Sequence, residues 1–95
     1  MDGQASISTE ILARYAADAA REIQGVREVP KRRGVKVSES DGRVRVELHL
    51  VVDWGASIPE LGGRVQQRVR EYLQRMADVD PSSVSVVVDE IGPRP

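Results

Sequence analysis

Few residues in this sequence have side chains that could do chemistry, and His49 is the only histidine. It falls at a polar position of an alternating stretch, two residues after Glu47. The sequence holds no cysteine, which excludes thiolate catalysis, disulfides and cysteine-based zinc sites. No nucleophile can be paired with a base, because the serines fall at predicted caps and turns. The sequence therefore predicts no catalytic residues, no metal ligands and no cofactor.

A basic run forms the second candidate site. Its members are Lys31, Arg32, Arg33 and Lys36. Sheets that bind nucleic acid usually combine such a patch with exposed aromatic side chains, but Tyr15 and Tyr72 both fall on predicted core stripes. The glycine pair Gly62-Gly63 also lacks the Gly-x-x-Gly spacing of a KH module. A KH-like nucleic-acid-binding module is therefore kept as an alternative function, with this basic run as its site.

A glycine-rich stretch after residue 52 raises the question of a phosphate-binding loop. Its glycines, Gly55 and the later pair, match neither phosphate-loop spacing. Ser57 and Glu60 instead have the Ser-x-x-Glu spacing of a capping box, which predicts a strand exit followed by a helix. Gly62 falls on the apolar stripe of that helix, so we expect it to allow close packing against the first helix. Trp54, the only tryptophan, is interpreted as a lid on the core rather than an anchor for a partner.

The elements that position these residues follow from the spacing of apolar side chains. Steps of three and four predict helices from near Ser8 and from about Ile58 to Ala77. Alternation predicts strands around Val35–Val37, Val44–Val52 and Val84–Val88, with an Asp-Gly hairpin turn between the first two. The order α-β-β-α-β predicts an α+β two-layer sandwich with two helices on one face of a three-stranded mixed sheet. The second and third strands should run parallel, with the position of the first left open.

Composition and length set the class of protein. The 95 residues allow one domain, predicted over residues 7–91 between a flexible arm (1–6) and a tail (92–95). The core is light, because only 40% of residues are hydrophobic and none is Phe, which favours self-association. The net charge of −1 gives no general attraction to nucleic acid or anionic membranes. The polar N-terminus and the lack of a run of about 20 apolar residues predict a cytoplasmic protein without direct membrane insertion.

The charged face of the second strand is the predicted partner-binding surface. With the residues at the end of the strand it comprises Arg43, Arg45, Glu47, His49, Asp53 and Trp54. Because the helices should cover only the apolar face of the sheet, this face would remain open to a protein partner.

The order of the motifs resembles the alkaline-shock, or envelope-stress-response, protein family of Gram-positive bacteria. The most distinctive part is the helix entry Ser57-Ile58-Pro59-Glu60 followed by Val65-Gln66-Gln67-Arg68-Val69. The resemblance also includes the alanine-rich first helix and the strands at 34–37, 44–52 and 84–88, so it runs from about Ile7 to Ile91. The sequence departs from the family at Thr9, where proline is frequent, and at Gly62-Gly63.

The resemblance implies a non-enzymatic cytoplasmic protein that acts in cell-envelope homeostasis. Family members of this kind self-associate or dock on a membrane-anchored relative, which places them at the membrane through a partner. Other members resemble regulators of fatty-acid synthesis that are tied to acetyl-CoA carboxylase. The resemblance carries over no catalytic residue.

Overall fold

The computed structural model describes residues 7–95. Along the chain the elements are α1 (Thr9–Arg21), β1 (Val26–Glu28), β2 (Val35–Ser40), β3 (Arg43–Val52), α2 (Ile58–Ala77) and β4 (Ser83–Ile91). The predicted α+β order is confirmed, with one additional short strand, β1, ahead of the predicted hairpin. The predicted N-terminal arm lies outside the described residues.

β3 is the central strand of a four-stranded mixed sheet. β4 pairs with it in parallel over residues 45–52, as predicted for the crossover through α2. β2 and β1 pair antiparallel with successive stretches of β3, and because β4 occupies one edge of β3, they share the other. The three-stranded prediction missed β1 because three residues, Val-Arg-Glu, are too short to show alternation.

The core lies between the sheet and the two helices. The even-numbered residues of β3 point into it, and Leu48 and Leu50 are fully buried. The helices touch each other through Tyr15 and Tyr72, whose rings meet edge to face at 5.9 Å. An ion pair between Arg68 and Glu22 also joins them. The other buried side chains are short, chiefly alanine and valine, which confirms the predicted light composition of the core.

The two helix starts differ in how they are capped. The Ser8 hydroxyl accepts a hydrogen bond from the backbone N–H of Ile11 at 3.2 Å, as an N-cap should. Ser57 is the N-cap of α2 but its side chain makes no capping hydrogen bond. The predicted capping box at α2 is therefore wrong. Pro59 in the first turn favours the start of α2 instead. Its fixed φ suits a helix, and the N–H that proline lacks would have no intrahelical partner at this position.

Two predictions about the glycine-rich stretch are also wrong. A Cβ placed on Gly62 would meet no atom of another element within 4 Å, so this glycine does not bring the helices together. Trp54 is 50% exposed and is therefore not a lid on the core. Its ring is covered in part by the guanidinium of Arg94, 5.3 Å from the ring centroid.

Candidate functional site

The uncovered side of the sheet carries most of the candidate residues, because the odd-numbered side chains of β3 point away from the helices. We call this surface the outer face. It comprises Lys36, Ser38, Arg43, Arg45, Glu47, His49, Ser85, Val87 and Asp89. Strand register places Lys36 on one side of Glu47 and Ser85 on the other. Within residues 7–95, both helices pack against the opposite side of the sheet, so the outer face meets solvent.

His49 lies between two carboxylates at the middle of the outer face. Its Nδ1 is 2.9 and 3.1 Å from the two carboxylate oxygens of Asp89, and its Nε2 is 2.8 Å from Oε2 of Glu47. A neutral imidazole has only one N–H and would present a lone pair to one of these carboxylates. The arrangement therefore suits the imidazolium, which donates from both nitrogens.

The same contacts raise the pKa of His49 above its usual value of 6.5. The hydrogen bond to Asp89 contributes most and the bond to Glu47 follows, while partial burial of the ring acts in the opposite direction. His49 is 26% exposed and its two partners are about half exposed, so water weakens both ion pairs.

Asp89 follows Ser85 and Val87 on the outward-facing side of β4, two residues beyond the position opposite His49, and it lies at an irregularity of the strand. The register passes from Leu50 opposite Val88 to Val51 opposite Glu90, which leaves Asp89 as an extra residue. The sequence analysis missed Asp89 because its predicted strand ended at Val88, whereas β4 continues to Ile91.

The basic run lies directly beside the His49 cluster. Arg32, Arg33 and Lys36 line the same depression as Glu47, His49 and Asp89, and its volume is about 700 Å³. Lys31 instead lines a separate depression next to α1. The structure thus brings most of the basic run together with the predicted partner-binding residues Glu47 and His49, which the sequence analysis treated as separate sites. Lys31 is not part of this combined site.

A tight turn fixes the position of the two arginines. Gly34 is buried, and a Cβ on it would overlap the carbonyl oxygen of Pro30, so only glycine fits. Arg33 adopts a left-handed backbone conformation with φ of 60°. The Gly34 carbonyl accepts the backbone N–H of His49 at 2.7 Å, which ties the turn to β3 at the centre of the site.

The remaining predicted residues lie at the end of β3, away from the His49 cluster. Asp53 is 3.6 Å from the guanidinium of Arg27, a residue that the sequence analysis did not select. Trp54 follows in the turn, beside Arg94. The six predicted partner-binding residues therefore divide into four on the outer face and two at the exit of the strand.

The fold and the site define a small two-layer α+β domain with one open, charged sheet face. Within residues 7–95, no group of three or more His, Asp or Glu side chains is arranged to hold a metal ion, and neither helix is long and apolar enough to cross a bilayer. The sequence model of the alkaline-shock protein family, described as having a cell envelope-related function, matches residues 27–93. The chain belongs to this family, and the predicted resemblance is confirmed.

Similar proteins come from Gram-positive bacteria. The uncharacterized protein YqhY of Bacillus subtilis is 27% identical over 88% of this chain and 73% of its own length. The uncharacterized protein YloU of the same organism is 24% identical over 94% of this chain and 88% of its own length. The uncharacterized protein Spy1614 of Streptococcus pyogenes is 25% identical over 95% of this chain and 88% of its own.

Solved structures with the same fold include the MamM CTD. Its manganese form superposes with a TM-score of 0.60, is 16% identical, and the match covers 87% of this chain and 99% of that chain. A copper form gives a TM-score of 0.63 at 15% identity, over 90% of this chain and 100% of that chain. At this level of identity the likeness shows the α+β fold alone.

Proposed function

We propose that this protein is a non-enzymatic interaction protein that serves cell-envelope homeostasis by docking on another protein through its outer face. The observation that carries the proposal is the open side of the sheet, where a hydrogen-bonded charged cluster lies on β3 and β4. His49 between Glu47 and Asp89 gives this face charges of both signs, which a partner of complementary charge can recognise. Family membership supports the link to the cell envelope.

The partner in this proposal is a membrane-anchored relative or a second copy of the chain, on the cytoplasmic side of the membrane. The edge of β4 supports association between sheets, because no other strand of the described chain covers it. Gln66 donates to the Val84 carbonyl at 2.9 Å and closes that edge near its start. Backbone groups farther along, at Val86 and Val88, point to the same side and stay open to an added strand.

The experiment is a double substitution, Arg43→Ser with Arg45→Ser, on the outer face. We expect the intact protein to self-associate by light scattering across a concentration series, or to co-purify with a membrane protein from the native host. The double variant should lose that association while its thermal unfolding is unchanged. Arg14→Ser with Arg75→Ser removes the same charge from exposed helix surfaces and should leave association intact.

Two results would contradict the proposal. One is a strict monomer at high concentration with no envelope partner. The other is equal association of both double variants, which would move the interface away from the outer face. Capture of acetyl-CoA carboxylase in place of an envelope protein would assign the chain to the lipid-synthesis branch that the resemblance also implies.

A further inference from the structure

We propose that Arg32, Arg33 and Lys36 bind an acidic segment of the partner protein, and that protonated His49 keeps these three cations available by holding the neighbouring carboxylates. We call the three cations the basic pocket. The inference deepens the proposed function, since it names the chemistry of the partner and a pH control at the same face.

The first step concerns which charges are already paired. Glu47 and Asp89 are the carboxylates that line the depression, and both are bonded to His49. No member of the basic pocket forms an ion pair with another residue in the described part of the chain. The three cations are therefore unpaired within residues 7–95, because the two nearby carboxylates are bonded to His49.

The second step is the effect of deprotonating His49. The charged groups around its ring are Glu47 on β3, Asp89 on β4, Lys36 on β2, and Arg32 and Arg33 in the turn. A neutral ring can donate to only one carboxylate, so the other is released. Glu47 lies directly opposite Lys36 in the strand register, and once released it can neutralise that lysine.

The consequence is a pocket whose attraction for anions depends on pH. Protonated His49 adds one positive charge and engages both carboxylates, whereas neutral His49 adds no charge and releases one of them. The raised pKa of His49 extends the protonated state toward neutral pH. Affinity for an acidic segment should therefore be high in mildly acidic solution and fall as the pH rises through the pKa of the folded protein.

The lining of the depression favours an acidic protein segment over nucleic acid. The aromatic residues of the chain lie away from the outer face: the tyrosines between the helices and Trp54 at the strand exit. Bases would find no Phe, Tyr or Trp ring on which to stack there. The carboxylates of Glu47 and Asp89 also repel closely spaced phosphates, while an extended peptide can place one acidic side chain at the cations and keep the next at a distance.

The test measures binding of a fluorescent oligoglutamate peptide to the full chain by anisotropy at low salt. We expect binding near pH 6 that weakens about fivefold or more near pH 9 and also weakens with added salt. Arg32→Gln with Lys36→Gln should reduce affinity about tenfold or more. Lys31→Gln with Arg75→Gln removes the same charge outside the depression and should have little effect. His49→Gln, which cannot be protonated, should bind weakly at both pH values.

Three results would overturn the inference. They are no peptide binding, equal binding by the pocket and control variants, and unchanged affinity between the two pH values in the intact protein. Tighter binding of single-stranded DNA or of phosphatidylglycerol vesicles than of the peptide, lost with the same pocket variant, would also overturn it by assigning the pocket to phosphates. Any of these would leave the proposed function standing if the Arg43 and Arg45 experiment still shows docking.

Discussion

The ten residues of β3 alternate between two faces that have different roles. On the inner face, Leu48 and Leu50 are fully excluded from water, and nothing but shape and apolar area decides which side chain fits. On the outer face, His49 and Glu47 stay partly exposed, and the position of each charge relative to its neighbours decides what can bind. Stability should therefore respond to inner-face substitutions, and association to outer-face substitutions.

The largest expected effect is on the inner face. Leu48→Ala removes a fully buried side chain from the centre of the sheet and leaves a cavity that the short neighbouring valines and alanines cannot fill. We expect a loss of about 2–5 kcal/mol in the free energy of unfolding, measured by urea denaturation. Glu47→Gln, one residue earlier on the outer face, should change it by less than about 1 kcal/mol. Equal losses would erase the distinction between the faces.

Gly34→Ala should have the next largest effect, and it affects both faces. The new Cβ would overlap the Pro30 carbonyl oxygen, so the turn must move, together with the arginines that it carries. We expect a loss of more than about 1 kcal/mol in unfolding free energy and a changed amide signal of His49, which bonds to Gly34. Gly63→Ala, where the added Cβ meets open space, is the control. An unperturbed His49 amide would show that the turn tolerates the side chain.

The sequence predicted the fold well because long, regular elements carry clear periodic signals. The ten-residue alternation of β3 and the apolar stripe of α2 predicted both elements to within a residue of their bounds. The parallel pairing of β3 with β4 was predicted from the β-α-β order of these elements. The short β1 carried no such signal, since three residues cannot establish a period.

The site was harder to predict because its residues are distant along the chain. His49 and Asp89 are 40 positions apart and meet only because β4 pairs in parallel beside β3 and extends past Val88. The sequence predicted the basic run as a candidate site, but its position beside His49 depends on the turn at Gly34. Trp54 was misassigned because large aromatic residues are usually buried, whereas here the ring packs against Arg94 at the surface.

A smaller effect, in the stabilising direction, is expected in α2. Gly62→Ala and Gly63→Ala should each raise the free energy of unfolding by about 0.4–1 kcal/mol, because alanine restricts the unfolded chain and the new methyl groups meet no other element. Thermal denaturation of each variant measures the change. A loss of stability in Gly62→Ala alone would restore the discarded close-packing role of that residue.

The smallest expected effect is the pH dependence that His49 gives to stability. Its pKa is raised in the folded protein, so its ion pairs stabilise the fold fully below the unfolded value near 6.5 and cease to do so as the pH rises through the folded pKa. Because both partners are about half exposed, we expect less than about 1 kcal/mol. The measurement is the difference in unfolding free energy between the protein and His49→Gln across this range. That difference should shrink with rising pH. A growing difference would mean that folding lowers the pKa of His49 instead of raising it, and that a proton on this ring does not keep the basic pocket available.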